Sequence, residues 1–159
     1  MGHYKNIEVD FVERTKENLE FLEKNNVNLP QEITHLLNYC YGLIVLPEQK
    51  MNNIISLMPQ DLSYYGIKEG DVTTNNPKTF ENVIRSLRNG FAHAHLQSLT
   101  DEKGKDFIAL AIKDYAREKD VINDTPHTTI ELSLEQLKSF ILKFSQEYIA
   151  CKRKIEQKL

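Results

Sequence analysis

The stretch PKTFENVIRSLRNGFAHAH, residues 77–95, decides how the chain is expected to fold. Its apolar side chains recur at spacings of three and four, which is typical of one buried face of an α-helix. Asn76 and Pro77 resemble a helix cap and a first helical position. The spacing therefore predicts a helix from Pro77 to about residue 97, whose buried face is formed by Phe80, Val83, Ile84, Leu87, Phe91 and Ala94.

The opposite face of this helix carries the polar residues that could perform chemistry. At about 100° per residue, Arg85, Asn89 and His93 point away from the buried face. Arg88 lies at its border, with a stem long enough to reach the polar side. Gly90 costs about 1 kcal/mol relative to Ala inside a helix. Two explanations for Gly90 are open: close approach of a second backbone or of a phosphate, or a weak position near the helix end.

Three further long helices are predicted around this one. The first covers about residues 6–25 and combines an apolar stripe with Lys and Glu side chains. The second carries an apolar stripe that reaches Ile44 and is stopped by Pro47. The last opens at Ser133 with a capping box, in which the side chains of Ser133 and Gln136 each accept a hydrogen bond from the other residue's backbone N–H.

A short segment before the last helix departs from the helical pattern. Phe107 to Ile112 is a continuous apolar run, and Thr128 to Leu132 alternates and is rich in β-branched residues. These stretches predict a β-hairpin with a long polar connection, whereas residues 59–77 predict a loop. The expected fold is all-α, an up-and-down four-helix bundle with a small β-hairpin insert before the last helix, in a single domain over residues 1–159.

The composition is typical of a soluble globular protein rather than of a disordered or membrane protein. Charged residues make up 27% of the chain and hydrophobic residues 40%. No apolar run approaches the roughly 20 residues of a spanning helix, and the N-terminal residues lack the layout of a signal peptide. Cys40 and Cys151 provide neither a disulfide framework nor a four-ligand zinc site. We therefore expect a cytoplasmic protein with no membrane partner.

The charge balance limits how the protein could bind nucleic acid. Against 20 Lys and Arg stand 23 Asp and Glu, which gives a net charge of −3. Proteins that grip long stretches of nucleic acid through phosphates have a basic surplus, so any such contact is expected at a small local site. His93 and His95 would face one metal ion only in an extended segment, and we therefore expect neither a metal nor a cofactor.

The segment RNGFAH, from Arg88 to His93, matches the Arg-x4-His motif of the HEPN superfamily (higher eukaryotes and prokaryotes nucleotide-binding domains), with a polar residue directly after the arginine. The similarity extends over most of the chain. The chain resembles a bacterial branch of the superfamily that contains ribonucleases and toxins. The resemblance implies a single HEPN-like domain that dimerises so that two motifs meet in a cleft. Outside the motif, the similarity to this branch lies in Phe11–Thr15, Leu36–Tyr39, Gly42–Pro47 and Leu87.

Many proteins of this superfamily are metal-independent endoribonucleases, and many act as toxins in toxin–antitoxin or phage-defence systems. The resemblance thus implies an RNA substrate, a homodimer and, for a toxin, a cognate antitoxin. In the matching positions His93 would act as acid and base, Arg88 would clamp the phosphate and Asn89 would act as a positioning residue. These residue types suit RNA cleavage by attack of the ribose 2′-hydroxyl, which needs proton transfer and positive charge near the phosphate.

Three alternatives stay open at this point. Arg88, Asn89 and His93 could form only a solvated polar helix face. The chain could be a non-catalytic HEPN-like scaffold or RNA-binding module that uses the same groove without cutting RNA. It could also be an inactive partner that depends on a neighbouring antitoxin or nucleotidyltransferase.

Overall fold

The structure is a computed structural model that describes residues 7–25, 32–45, 52–100 and 107–157. It contains helices of three types and one antiparallel sheet. In chain order the elements are α1 (Ile7–Lys24), α2 (Glu32–Cys40), a π-helical segment (Tyr41–Val45), α3 (Asn52–Ile55), two 3-10 helices (Leu62–Tyr65 and Glu69–Asp71), β1 (Val72–Thr74), α4 (Phe80–Ala92), β2 (Leu96–Thr100), β3 (Phe107–Asp114), α5 (Glu118–Ile122), β4 (Thr128–Ser133) and α6 (Leu134–Glu156).

Contacts between residues divide the chain into two compact units, Met1–Pro59 with Ile141–Leu159, and Gln60–Phe140. In its described residues the first unit is helical and contains α1, α2, the π-helical segment, α3 and most of α6. The first two predicted helices are confirmed, α1 to within one residue of its expected bounds. A single domain over residues 1–159 stays a prediction.

Gly42 allows α1 and the π-helical segment of the first unit to approach each other closely. A Cβ at Gly42 would lie 3.0 Å from Cε1 of Phe11 and 3.4 Å from Cγ2 of Thr15. Beside this contact Leu43 and Ile44 are fully buried. The face of α1 that carries Phe11 and Thr15 therefore packs against a neighbouring helical segment.

The second unit is built around a four-stranded antiparallel sheet with the strand order β1-β4-β3-β2. In the central pair, Leu110 lies opposite Leu132 and Ile112 opposite Ile130. Because alternate residues of a strand point to the same face of a sheet, these four side chains share one face. All four are buried. The helix α4 packs on this face against β3.

The prediction of an all-α, up-and-down four-helix bundle is wrong, because the fold is mixed α/β. The two predicted hairpin strands do pair, as β3 and β4, but β1 and β2 extend them to a four-stranded sheet. β1 lies within the predicted loop 59–77, and β2 begins at Leu96, where the helix was expected to continue. Both are short edge strands with few buried side chains, so the periodicity that marks a strand is weak there.

The predicted capping box at the start of the last helix is confirmed. The backbone N–H of Gln136 donates to Oγ of Ser133 at 3.1 Å, and the backbone N–H of Ser133 donates to Oε1 of Gln136 at 3.0 Å. α6 accordingly begins at Leu134. α4 begins at Phe80, later than expected, because Thr79 is the residue whose side chain caps it.

No helix in the described part of the chain is both long enough and apolar enough to cross a membrane. Cys40 and Cys151 are buried free thiols. Burial raises the pKa of each thiol. The reactive thiolate form is therefore disfavoured at both positions.

Gly90 sets the distance between α4 and β3. A Cβ at this position would lie 2.3 Å from Cγ2 of Ile112 and 3.1 Å from the carbonyl oxygen of Lys113. Both distances are shorter than ordinary van der Waals contacts. Of the explanations open for Gly90, the structure therefore supports close approach of a second backbone.

Replacing Gly90 with Ala tests this packing through the sign of the change in the free energy of unfolding. In a helix without close neighbours Ala would stabilise the protein by about 1 kcal/mol, whereas a Cβ forced against β3 should destabilise it by about 1–3 kcal/mol. Gly70→Ala is the matched control, because no heavy atom lies within 4 Å of a Cβ there. Equilibrium urea unfolding measures both variants. A Gly90→Ala protein at least as stable as the wild type would contradict the packing.

Candidate active site

α4 ends in a hydrogen-bonded turn that determines where the predicted site residues lie. The backbone N–H of Ala94 donates to the carbonyl of Phe91 at 3.0 Å, and that of His95 donates to the carbonyl of Gly90 at 2.8 Å. This pair of bonds is a Schellman motif, which requires a left-handed residue, and Ala94 has a φ of 54°. The chain therefore turns after His93 and enters β2.

The three predicted site residues lie at this end of α4. Arg88 and Asn89 are half-buried in the last turns of the helix, and His93 is exposed at the C-cap position. The backbone N–H of His93 donates to the carbonyl oxygen of Asn89 at 3.0 Å. His93 thus faces outward as expected, but it ends the helix instead of lying within its polar face.

The side chain of Asn89 is held by Asp114, the last residue of β3. Its Nδ2 lies 3.1 Å from each carboxylate oxygen of Asp114, which is only 5% exposed. Nε2 of His127 lies 3.5 Å from the same carboxylate, and Nδ1 of His127 lies 2.7 Å from the carbonyl oxygen of Asp114. Because a carbonyl oxygen only accepts, we assign a hydrogen to Nδ1. Asp114 therefore connects the end of α4 with the segment that precedes β4.

A second set of contacts begins at the imidazole of His93. Its ring stacks on that of His95 with centroids 5.6 Å apart, and the ring of His95 meets Tyr115 edge-on at 4.9 Å. The hydroxyl of Tyr115 donates to Asp124 at 2.7 Å, and Nζ of Lys113 donates to both oxygens of Asp124 at 2.8 and 2.9 Å. His93 is thus the outer end of a chain of contacts that leads to an ion pair.

The hydroxyl of Tyr115 and the carboxylate of Asp124 stabilise each other's protonation state. Burial raises the pKa of Tyr115 to about 12, together with the hydrogen bond to Asp124 and its negative charge. Hydrogen bonds from Lys113 and Tyr115 lower the pKa of Asp124. Both shifts favour the form in which Tyr115 donates and Asp124 accepts, so this contact persists throughout the neutral pH range.

The residues that support the motif are distant from it in the sequence and were not predicted. Asp114 follows Asn89 by 25 positions, two residues after the apolar run that predicts a strand. An acidic residue so close to the end of a buried strand is the signal that could have pointed to it. His127 lies in a polar connection and Tyr115 directly follows β3, and neither has a distinguishing pattern around it.

The arrangement combines an exposed imidazole, a half-buried guanidinium and an anchored carboxamide within six consecutive residues. Imidazole groups can accept or donate protons near neutral pH, and guanidinium groups match the geometry of a phosphate. Among the residues that the structure describes, no group of three or more His, Cys, Asp and Glu side chains could hold a metal ion.

The fold and the site define a mixed α/β protein with an Arg-Asn pair and an exposed histidine at the end of a helix that packs on an antiparallel sheet. A protein-family model described as HEPN pEK499 p136 matches residues 1–154. The chain therefore belongs to this HEPN family, and the resemblance to the HEPN superfamily is confirmed. Members of the superfamily are often ribonucleases or toxins. Comparison with curated proteins and with solved structures gives no match.

Alkaline titration followed by tyrosinate absorbance tests the Tyr115–Asp124 contact. Because the pKa of Tyr115 is about 12, Tyr115→Phe should remove a late step, and Asp124→Asn should move that step to lower pH. A raised folded-state pKa stabilises the protein below the unfolded value near pH 10, and this contribution is lost as the pH rises towards 12. Loss of an early titration step in Tyr115→Phe would contradict the assignment.

Proposed function

We propose that this protein is a HEPN-type endoribonuclease that cleaves RNA without a metal ion, at a site completed where two copies meet. The observation that carries the proposal is the exposed imidazole of His93, one helical turn beyond an Asn89 that Asp114 holds in place. Membership of a HEPN family supports the class of reaction. Arg88, Asn89 and His93 are the residues proposed to perform it.

The proposed reaction uses the ribose 2′-hydroxyl as the nucleophile. The 2′ oxygen forms a bond to phosphorus while the bond from phosphorus to the 5′ oxygen of the next nucleotide breaks, which leaves a 2′,3′-cyclic phosphate and a 5′-hydroxyl. One proton leaves the 2′-hydroxyl and one must reach the departing 5′ oxygen, and His93 is the group proposed for these transfers. Arg88 would stabilise the negative charge that develops on the phosphate oxygens.

Two copies are part of the proposal because one chain supplies one such imidazole, whereas the reaction needs a base and an acid. A two-fold symmetric pair brings two His93 and two Arg88 side chains to one phosphate. The exposure of His93 supports this arrangement, since a side chain at an open helix end can reach a cleft formed with a second copy. The net charge of −3 also favours a compact site over a long RNA-binding surface.

We further propose that the protein acts in the cytoplasm as a toxin or phage-defence effector, with a cognate antitoxin as its partner in the toxin case. Membership of a HEPN family supports this role. Cys40 and Cys151, which are free thiols, suit a reducing compartment. We propose residues 1–159 as one HEPN-like domain that carries the activity.

His93→Ala and Arg88→Ala should each lower the rate of RNA cleavage in the presence of EDTA by at least about 100-fold, because each removes a group proposed to act in the transition state. Arg85→Ala is the matched control, since Arg85 is an exposed arginine on the same helix and pairs with Glu81. Gel analysis gives the rates, and end-group analysis should find a 2′,3′-cyclic phosphate. Circular dichroism and size-exclusion chromatography check that fold and dimer persist.

Two other results would replace this proposal. A wild-type protein that binds RNA under EDTA and leaves it intact would be a non-catalytic RNA-binding module. A protein that neither binds nor cleaves RNA would be an inactive partner of another protein. Full activity in His93→Ala would refute the assignment of the catalytic groups even if the wild type cleaves.

Mixed dimers test whether two copies share one site. A heterodimer of the wild type with His93→Ala carries both Arg88 side chains and a single His93 side chain. If the reaction needs one imidazole from each copy, this heterodimer should cleave RNA as slowly as the His93→Ala homodimer. A heterodimer that keeps about half of the wild-type rate would show that each copy cleaves RNA with its own His93, and the composite site would be wrong.

A further inference from the structure

We propose that Asp114 is a positioning residue of this site, which turns the carboxamide of Asn89 so that its Oδ1 faces away from the sheet as a hydrogen-bond acceptor. The inference rests on the proposed ribonuclease function. It adds a residue outside the motif and gives Asn89 a definite direction of hydrogen bonding. Asp114 itself acts through Asn89 and does not touch the reacting atoms.

The carboxylate of Asp114 determines which end of the Asn89 carboxamide is the Nδ2 donor and which is the Oδ1 acceptor. A carboxylate only accepts hydrogen bonds, so the Asn89 atom that lies 3.1 Å from both oxygens of Asp114 has to be the Nδ2 donor. Oδ1 then occupies the end of the carboxamide that is turned away from Asp114. An asparagine without such a partner could present either end.

Burying the carboxylate of Asp114 is unfavourable unless its contacts with the protein replace those with water. Asp114 is 5% exposed, and a buried carboxylate is tolerated only when hydrogen bonds replace its water. Asn89 donates to both oxygens. The backbone N–H of His127 also donates to the carbonyl of Asp114 at 3.0 Å. Both ends of the residue are therefore held.

The sheet beneath this contact continues the polar character of Asp114. Thr128 lies opposite Asp114 in the register of β3 and β4, and it is buried. Its Oγ1 forms a hydrogen bond of 2.8 Å with Oγ1 of Thr74 on β1. Farther along the same two strands, the corresponding face carries Ile and Leu. On this face of the sheet, the polar residues Asp114, Thr128 and Thr74 therefore lie together at the end that Asn89 contacts.

The orientation of the carboxamide decides what Asn89 can bind. A phosphate oxygen at Nδ2 would meet the negative charge of Asp114, and like charges this close repel each other. Oδ1 can instead accept from a group that carries a hydrogen, namely the ribose 2′-hydroxyl or an imidazole N–H. Asn89 is thereby assigned to accept a hydrogen bond from the 2′-hydroxyl or from an imidazole N–H. The phosphate is left to Arg88.

The first test observes the contact without RNA. The side-chain amide protons of Asn89, identified by their loss in Asn89→Asp, are followed by NMR in the full-length protein. Asp114→Ala should shift them and accelerate their exchange with water, because a charge-assisted hydrogen bond is lost. Thr128→Val is the matched control: it removes a neighbouring buried hydrogen bond and should leave these signals unchanged. Unchanged Asn89 signals in Asp114→Ala would overturn the inference.

The second test uses RNA cleavage and a rescue. Asp114→Ala should lower kcat by about 10- to 100-fold with little change in KM, since a misplaced group costs rate more than binding. Asn89→Asp puts two carboxylates face to face and should also be impaired. Adding Asp114→Asn to it allows the new amide to donate to the new carboxylate, so the double variant should recover at least about 10-fold over Asn89→Asp alone. No recovery would overturn the positioning role.

The two tests separate this inference from the function on which it rests. If the wild type does not cleave RNA but the Asn89 signals respond to Asp114→Ala and not to Thr128→Val, the ribonuclease proposal fails while the orienting contact stands. If the wild type cleaves RNA and Asp114→Ala keeps the wild-type kcat, the positioning role fails while the function stands.

Discussion

The candidate site depends on the close approach of α4 to β3 at Gly90. Because this position has no Cβ, the helix lies against Ile112 and the backbone of Lys113. The turn that follows the helix is then within reach of the strand, and the backbone N–H of Lys113 donates to the carbonyl of His95 at 2.9 Å. Helix, turn and strand are thereby joined next to the motif.

Two further features follow from this approach. It places Asn89 above Asp114, so that a side chain of the helix is fixed by a side chain of the strand. The helix ends beside this contact in the Schellman turn, and the imidazole of His93 therefore lies at an exposed helix end next to the ring of His95. The position of the motif is thus a property of the contact between helix and sheet, and the helix alone does not define it.

Charge at the site is organised by two carboxylates with different surroundings. Asp114 is buried and holds Asn89, whereas Asp124 is exposed and holds Lys113 and Tyr115. The ammonium group of Lys113 is paired with Asp124. In a protein with a net charge of −3, the proposed pairing of two copies would bring two Arg88 guanidinium groups to one phosphate, which is a direct way to concentrate positive charge there.

The sequence predicts local structure well and the sheet poorly, for a physical reason. Helical spacing placed α1, α2, α4 and α6, and the Ser133–Gln136 capping box is a pattern of neighbours that survives in any tertiary context. The apolar run of β3 and the alternation of β4 were also visible, whereas β1 and β2 are edge strands whose hydrogen bonds come from partners far along the chain. The same limit applies to Asp114, because only the fold brings it to Asn89.

Backbone strain flanks the site on both sides and gives a further argument for its rigidity. Ala94 and Asp124 are the non-glycine residues with positive φ among those described, at 54° and 48°. Such conformations cost of order 1–3 kcal/mol each and persist where the surroundings determine them. For both residues these are the two hydrogen bonds of a Schellman motif. At Asp124 the backbone N–H donates to the carbonyl of Val121 at 3.2 Å, and that of Thr125 donates to the carbonyl of Asp120 at 2.9 Å. The carboxylate of Asp124 also accepts from Lys113 and Tyr115, so the residue that ends α5 also holds the end of β3 and the residue that follows it.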